Sequence, residues 1–437
     1  MWKKMLFTLA TGLAGMLGVI VAFVLPWTGI AALLVVLALW LILSHDGQRV
    51  GSITALAMST LPQRWGGASV VMVSIAGLVG VLVSLLAMGQ GYESTFRATG
   101  SDDTAIVLQS GALNESTSNL DQQSVAQAEE KPQLTRDAQG QPLASPELVL
   151  ATSLRKKGSG QDASVMIRGV GPNVWAVRTR VVVTAGRRFQ TGLRELVVGK
   201  DAAREFADSR VGSTLSINGQ PWRVVGEFES GDAHDSELWG DVKVVGDTFH
   251  RGSSVQSVTV RLSSASAFAA FNTALANDPQ LQTEAYTTLQ YYADQSNDLT
   301  GVIRILGLVV AGIMSIGAIA GALNSMYTAV SERTREIATL RAIGFRGEPV
   351  VISVMIETML LALAGGCGGA LIAWLLFDHF TASTMGPNYS AVVFRFQVTP
   401  ELMGVGLRWA LVVGFLGGLF PALRAVRIPV TDGLREL

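Results

Sequence analysis

Six stretches of this chain are too apolar to be left in water, and they settle its class before anything else is read. They run over residues 5–24, 28–43, 69–88, 303–327, 350–377 and 404–423. A helix that crosses a bilayer needs about 20 mostly apolar residues, and it satisfies its own backbone hydrogen bonds where water cannot. Five of the six stretches reach that length. The second is short, and Pro26-Trp27 between the first two predicts a tight helical hairpin over 1–45. Lys3 and Lys4 ahead of an apolar run also fit a cleaved signal peptide. No small-x-small site with a polar flank follows, however, and a second apolar run comes at once.

Charge orients the spans. Residues 89–301 carry 25 acidic and 19 basic side chains, whereas the rest of the chain carries 9 acidic and 14 basic. Basic residues collect on short flanks at Lys3, Lys4, Arg49, Arg64, Arg333, Arg335, Arg341, Arg346, Arg424, Arg427 and Arg435. Such flanks stay on the cytoplasmic side. Six spans then leave both termini inside and put 89–302 and the loop 378–401 outside. The expected fold is an α-helical integral membrane protein with six transmembrane helices and an extracytoplasmic α+β domain. Its parts are the N-terminal hairpin 1–45, a cytoplasmic linker 46–66, a span over 67–88, the external domain 89–302, and three spans in 303–437.

The only cysteine, Cys367, lies within an apolar stretch, so the external domain has no disulfide to rely on and needs an ordinary core. Residues 109–146, rich in Gln, Ser, Asn and Ala, read as loop or loosely packed surface. Asn114-Glu115-Ser116 matches a glycosylation sequon, which carries no weight alone. Beyond them the pattern predicts strands at 195–198, 213–217, 222–228, 241–245 and 255–262. Asn218-Gly219 is a hairpin-turn dipeptide between the second and third. Asp201 is placed to cap a short helix through Asp208. Helices are expected at 265–276 and from about Thr283, the latter running on into the span near Ile303.

Signatures of covalent chemistry are not found. Gly199-Lys200 lacks the upstream glycine of a phosphate loop and is followed by Asp201. Gly169 and Gly171 have no helix start after them, and four histidines with one cysteine give no zinc spacing. His234 between Asp232 and Asp235 reads as an exposed polar turn before it reads as a metal site. The chain is expected to be no enzyme itself, with no catalytic and no metal-binding residue.

Residues 331–347, SERTREIATLRAIGFRG, place four arginines and two glutamates between two apolar spans. Ser331 is a candidate N-cap with Glu332 in the first turn. Ile337, Leu340 and Ile343 are three apart, as are the pairs Glu332/Arg335 and Arg333/Glu336. Gly344 suits a helix C-terminus. The segment 331–344 is therefore predicted to be a short amphipathic helix on the cytoplasmic side. A helix lying on membrane lipid would share these features, but the interleaved glutamates suit a protein partner better.

Inside the spans, Gly317/Gly321, Gly365/Gly369 and Gly414/Gly418 are G-x-x-x-G pairs, expected to pack helices within the subunit before they define a dimer. Glu357 lies about two turns into its span, where an ionised carboxylate is costly. It is expected to reach the cytoplasmic interface or pair with a nearby arginine; a sensing role is the alternative.

The segment from Ser331 to Gly344, the following span with Glu357 and the glycines at 365–369, and the ending Pro421-Ala-Leu-Arg-Ala with Pro429 and Leu434 resemble permeases of the MacB/FtsX type of ABC transporter. Residues 187–200 and 211–225 resemble that family's extracytoplasmic domain, and the likeness covers roughly 67–437. It implies that Glu332, Arg333, Glu336, Ile337, Leu340, Arg341 and Gly344 rest on a separate ATPase subunit that holds ATP and magnesium, with no cofactor on this chain. It further implies a bacterial inner-membrane location, a second permease copy or related permease as partner, and a periplasmic adaptor protein as a further candidate; nucleic acid is not a partner. The expected function is ABC transporter permease, moving the periplasmic domain to export or extract a lipid, lipoprotein, peptide or drug-like molecule. The alternatives are a mechanotransmission regulator of a cell-wall hydrolase or sensor kinase, and a scaffold with no motor. The hairpin 1–45 lies outside the family's usual four-span core.

Overall fold

The computed structural model describes residues 24–59, 65–278, 281–343, 347–386 and 391–427, with a few isolated positions besides. In chain order its elements begin with helices α1 (Trp27–Leu43), α2 (His45–Ser59) and α3 (Trp65–Thr99). There follow β1 (Thr104–Gln109), α4 (Gln122–Glu129), β2 (Ala144–Arg155), β3 (Asp162–Val170), α5 (Val174–Val177), β4 (Val182–Gly186) and β5 (Glu195–Gly199). Next come α6 (Lys200–Glu205), β6 (Thr214–Ile217), β7 (Gln220–Glu229), β8 (Glu237–Asp241), α7 (Val242–Thr248), β9 (Ser257–Arg261), α8 (Phe268–Ala276) and β10 (Thr283–Thr287). The chain continues through α9 (Thr288–Glu332), α10 (Thr334–Ala342), α11 (Gly347–Phe377), β11 (Thr381–Met385), β12 (Ala391–Arg395) and α12 (Pro400–Arg427). They fall into two compact units, one of residues 1–88, 303–379 and 397–437, the other of 89–302 and 380–396.

In the first unit, α3, α9, α11 and α12 are long and apolar enough to cross a membrane. These four cover the predicted spans 69–88, 303–327, 350–377 and 404–423. The six-span expectation is thus only partly met among the described residues. The stretch 5–24 falls almost wholly outside them. The stretch 28–43 forms α1, whose 17 residues reach about 25 Å, short of a bilayer core. It bends by 97° into α2, and the bent pair raises the count to five at most. Ser44 makes the corner: its hydroxyl donates to the Trp40 carbonyl at 2.8 Å and accepts from the Gly47 amide at 2.8 Å. The expected linker 46–66 therefore contains a helix. The helix α9 is unbroken over 45 residues, from the polar stretch at Thr288 through the apolar one.

The second unit is an α+β fold around a ten-stranded sheet of order β10-β1-β9-β2-β3-β8-β5-β7-β4, with β6 paired to β7. Most pairs are antiparallel, but β3–β8 and β5–β7 are parallel. One apolar core gathers Trp222, Phe206, Ile167 and Leu238, and a second gathers Phe271, Leu275, Val107 and Val258. The hairpin β6–β7 turns on Asn218 (φ 49°) and Gly219 (φ 73°), the two positive φ values that a two-residue turn between twisted strands requires. Strands β11 and β12 pair with each other.

Several predicted elements differ. The segment 109–146 is not loose: it holds a 3-10 turn at Glu115–Thr117, α4 and the start of β2, and it buries Leu120, Ala128 and Leu134 in the second core. Its few apolar residues are aperiodic, yet Leu120, Ala128 and Leu134 are placed inward. The region before residue 195 also supplies β1 to β4. Residues 241–245 are not a strand, because the Asp241 carboxylate accepts from the Lys243 and Val244 amides and starts α7. Asp201 caps nothing; Gly199 holds that place, and Phe206 ends α6 by turning into the core. Residues 265–267 form a 3-10 turn ahead of α8. Thr283–Thr287 pairs with β1 as a strand before α9 begins.

Candidate functional site

The long helix α9 ends where Arg333 takes φ −101° and ψ 7°, and α10 starts at Thr334. Ser331, expected as the N-cap, instead lies in the last turn of α9; the cap position falls to Arg333, without a side-chain cap. What holds α10 is burial. Ile337 joins an apolar cluster with Val330, Val350, Val354, Ala422 and Ala425, and Thr334 and Ala338 are buried beside it. The predicted stripe does not hold together: Leu340 is half-buried and Ile343 is 73% exposed. Steps of three residues fall short of a 3.6-residue turn, so the stripe drifts about 120° by its third member. The buried face is 334/337/338 instead.

Glu332, Arg335 and Glu336 are exposed, and Arg341 is half-buried. Gly344 lies outside the described residues. Arg333 pairs with Glu336 at 3.4 Å, as its spacing predicts, and also with Glu357 at 3.3 Å. That second pair accounts for the lone acid of the span: the buried Glu357 carboxylate meets a guanidinium from the α9–α10 corner. An isolated acid in an apolar stretch calls for a cation, but which arginine supplies it is fixed only by the fold.

The six glycines divide. A Cβ at Gly365 would come 2.6 Å from the Met72 carbonyl oxygen, and one at Gly369 2.3 Å from that of Ala76, so α11 and α3 touch backbone to backbone. Gly414 and Gly418 face Ala362 and Thr358 of α11, and a Cβ at either would stand only 2.4 Å and 2.7 Å from them, respectively. Gly317 meets no described atom within 4 Å, and Gly321 only Ser74 Oγ at 3.8 Å. Of the first pair, Gly321 lies at ordinary contact distance from α3, whereas Gly317 faces no described neighbour.

A second cluster, not anticipated from sequence, lies in the α+β unit. Arg168 on β3 is 2% exposed and donates to Glu237 through Nε and Nη2 at 2.8 and 2.9 Å, and through Nη1 to Glu115 at 2.8 Å and Glu147 at 2.9 Å. Arg178 donates to the other side of Glu147 and, through Nε, to His234 Nε2 at 3.1 Å. The other ring nitrogen, Nδ1, lies 3.1 Å from Glu237. Burial pushes the Glu237 and Glu147 carboxyls up, but the arginines outweigh it and hold both below the usual carboxylate range. The turn 232–236 is thus buried, not exposed as expected. Asp235 accepts from the Ser230 and Gly231 amides, and Asp232 from that of His234. A cavity of about 160 Å³ lined by Thr99, Arg178, His234 and Tyr292 adjoins it. Each of the three carboxylates is held by a guanidinium, which makes the cluster a structural tie between strands. No signal short of the sheet order links residues 115, 147, 168 and 237.

Comparison with known proteins agrees with this division. Residues 69–278 match the family model described as MacB-like periplasmic core domain, and residues 308–430 match that described as FtsX-like permease C-terminal. The chain is 27% identical over 318 residues to the macrolide export ATP-binding/permease protein MacB 1 of Aeromonas hydrophila, covering 66% of this chain and 46% of that one. The MacB protein of Vibrio parahaemolyticus is 24% identical over 311 residues, covering 65% and 45%. The chain thus spans less than half the length of these relatives. The crystal structure of the periplasmic region of MacB from Actinobacillus actinomycetemcomitans is similar at 16% identity with a TM-score of 0.34, covering 44% of this chain and 91% of that one. With both family models matched in sequence order, and four apolar helices beside an α+β unit, this multi-pass membrane protein belongs to the MacB/FtsX type of ABC transporter permeases.

Proposed function

We propose that the chain is an inner-membrane permease subunit whose helix α10 is the seat for a separate ATP-hydrolysing subunit, with ATP and magnesium held there. Closure of an ATPase pair would push on α10, and the spans would shift the periplasmic α+β domain to export or extract a lipid, lipoprotein, peptide or drug-like molecule. The permease would work as a pair, with itself or a related chain, and with a periplasmic adaptor where the cargo requires one. The observation that carries this reading is the two-sidedness of α10. Ile337 and Ala338 fix it to the membrane helices, while Arg335 and Glu336, with Glu332 at the end of α9, stay exposed. Mixed charge on a short helix anchored from behind suits a protein surface better than anionic lipid.

The test is capture of candidate ATPase subunits by the purified permease, with ATP turnover read in the same samples. Glu336→Arg with Leu340→Asp is expected to reduce capture at least tenfold, and Arg335→Glu, which changes only an exposed side chain, to weaken it with the fold intact. Equal capture by all three proteins, or none by wild type, would sink the proposal.

A further inference from the structure

A nine-residue helix without a side-chain N-cap has little stability of its own. The position of α10 must therefore be set by what packs on it, which includes α9, α11 and α12 around Ile337. The helix α2 adds to this packing. Ile53 of α2 lines a cavity of about 30 Å³ together with Arg333, Glu336, Ile337 and Leu340. Val50, one helical turn earlier, is fully buried, and Thr54 Oγ1 donates to Ser353 Oγ at 3.2 Å. Residues 50, 53 and 54 make one inward stripe, whereas Asp46 and Arg49, nearer the start of α2, are exposed and pair at 3.4 Å. Ser353 is one turn from Glu357 on α11, so the face that α2 grips is the face that holds Arg333.

We infer that α2 is a positioning element for α10, with Ile53 and Thr54 as the residues that set it, so that docking on this permease depends on a segment outside both family models. Those models match 69–278 and 308–430, and α2 precedes both. The void beside Ile53 holds about one water, which means that Ile53 closes the gap behind Leu340 without overfilling it. Shortening the side chain enlarges that void, which α9, α10 and α11 line together with Ile53. The docking part rests on the proposed function; the positioning part does not.

The experiment is amide hydrogen exchange on the full chain in detergent, comparing wild type, Ile53→Ala and Thr54→Val. Peptides covering 334–342 are read against peptides from α12. The expected result is exchange roughly tenfold faster in 334–342 for Ile53→Ala, a smaller rise for Thr54→Val, and no change in α12. Unchanged exchange in 334–342, or an equal rise in every peptide, would overturn the inference. In the second case α2 would be general packing. Because this readout involves no ATPase, it stands or falls apart from the proposed function. Where wild type captures an ATPase, Ile53→Ala is expected to weaken capture about tenfold; undiminished capture by a loosened α10 would remove the docking role.

Discussion

Arg168 shows how much one side chain can organise. Its guanidinium is shared by Glu115, Glu147 and Glu237, residues that come from a 3-10 turn, β2 and β8. Replacing it with Met leaves Glu115 and Glu237 buried without this cation and Glu147 with Arg178 alone, which costs about 3–5 kcal/mol for a broken buried pair. The cost depends on pH with a definite sign. The folded-state pKa values of Glu147 and Glu237 are depressed, so their contribution is present above the ordinary carboxyl pKa and is lost as pH falls. Arg168→Met should therefore lower the unfolding midpoint most near neutrality, and the gap to wild type should narrow below about pH 4. Chemical denaturation followed by tryptophan fluorescence across pH would check this; a gap independent of pH would mean that the ion pairs contribute nothing. Glu357 and Arg333 repeat the pattern once in the membrane unit, where a lone acid finds a cation from the end of another helix.

Among the elements, the glycine pairs separate positions where backbones meet from positions that face open space. At Gly369 the backbone of α3 lies where a side chain would stand, so Gly369→Val forces α11 and α3 apart and is expected to cost about 1–3 kcal/mol. Gly317→Val has no described atom to strike and should leave the thermal midpoint of the detergent-solubilised chain unchanged. Equal destabilisation by the two would show that α9 packs through Gly317 after all. The same contrast explains α10, whose spacing of three predicts a stripe that helical geometry cannot keep together. The residues that hold it, 334, 337 and 338, follow the 3.6-residue turn.

For the whole molecule, the charge asymmetry makes a prediction about sidedness. By their basic excess the flanks near Arg49 and Arg335 are predicted to lie on the cytoplasmic side, and residues 89–302 on the other. With Cys367 replaced by Ser, a single cysteine at the exposed Leu113 should react with a membrane-impermeant thiol reagent added to cells with a permeabilised outer envelope. A single cysteine at Arg335 should react only after the inner membrane is opened. Labelling in the reverse order would invert the topology and remove α10 from the reach of a cytoplasmic partner.

What the sequence determined was the partition of the chain: where the apolar spans lie, that a large polar insertion separates two of them, and that a charged helix sits between two others. Those features are written locally, in unbroken apolar runs and in the sharp change of composition at their ends, and transfer from water acts on them wherever the chain goes. The Asn218-Gly219 hairpin was legible for the same reason, since two positive φ values are a property of two residues. The tertiary structure alone decided which strand neighbours which, so the sheet order and the Arg168 cluster, whose members lie up to 122 positions apart, could not be read from spacing. It also decided that 109–146 is core, that Asp241 starts a helix where its β-branched neighbours suggest a strand, that Glu357 answers to Arg333, and that α2 lies against the seat of α10. In each case the deciding contact joins residues distant in sequence, and burial outweighs the local preference.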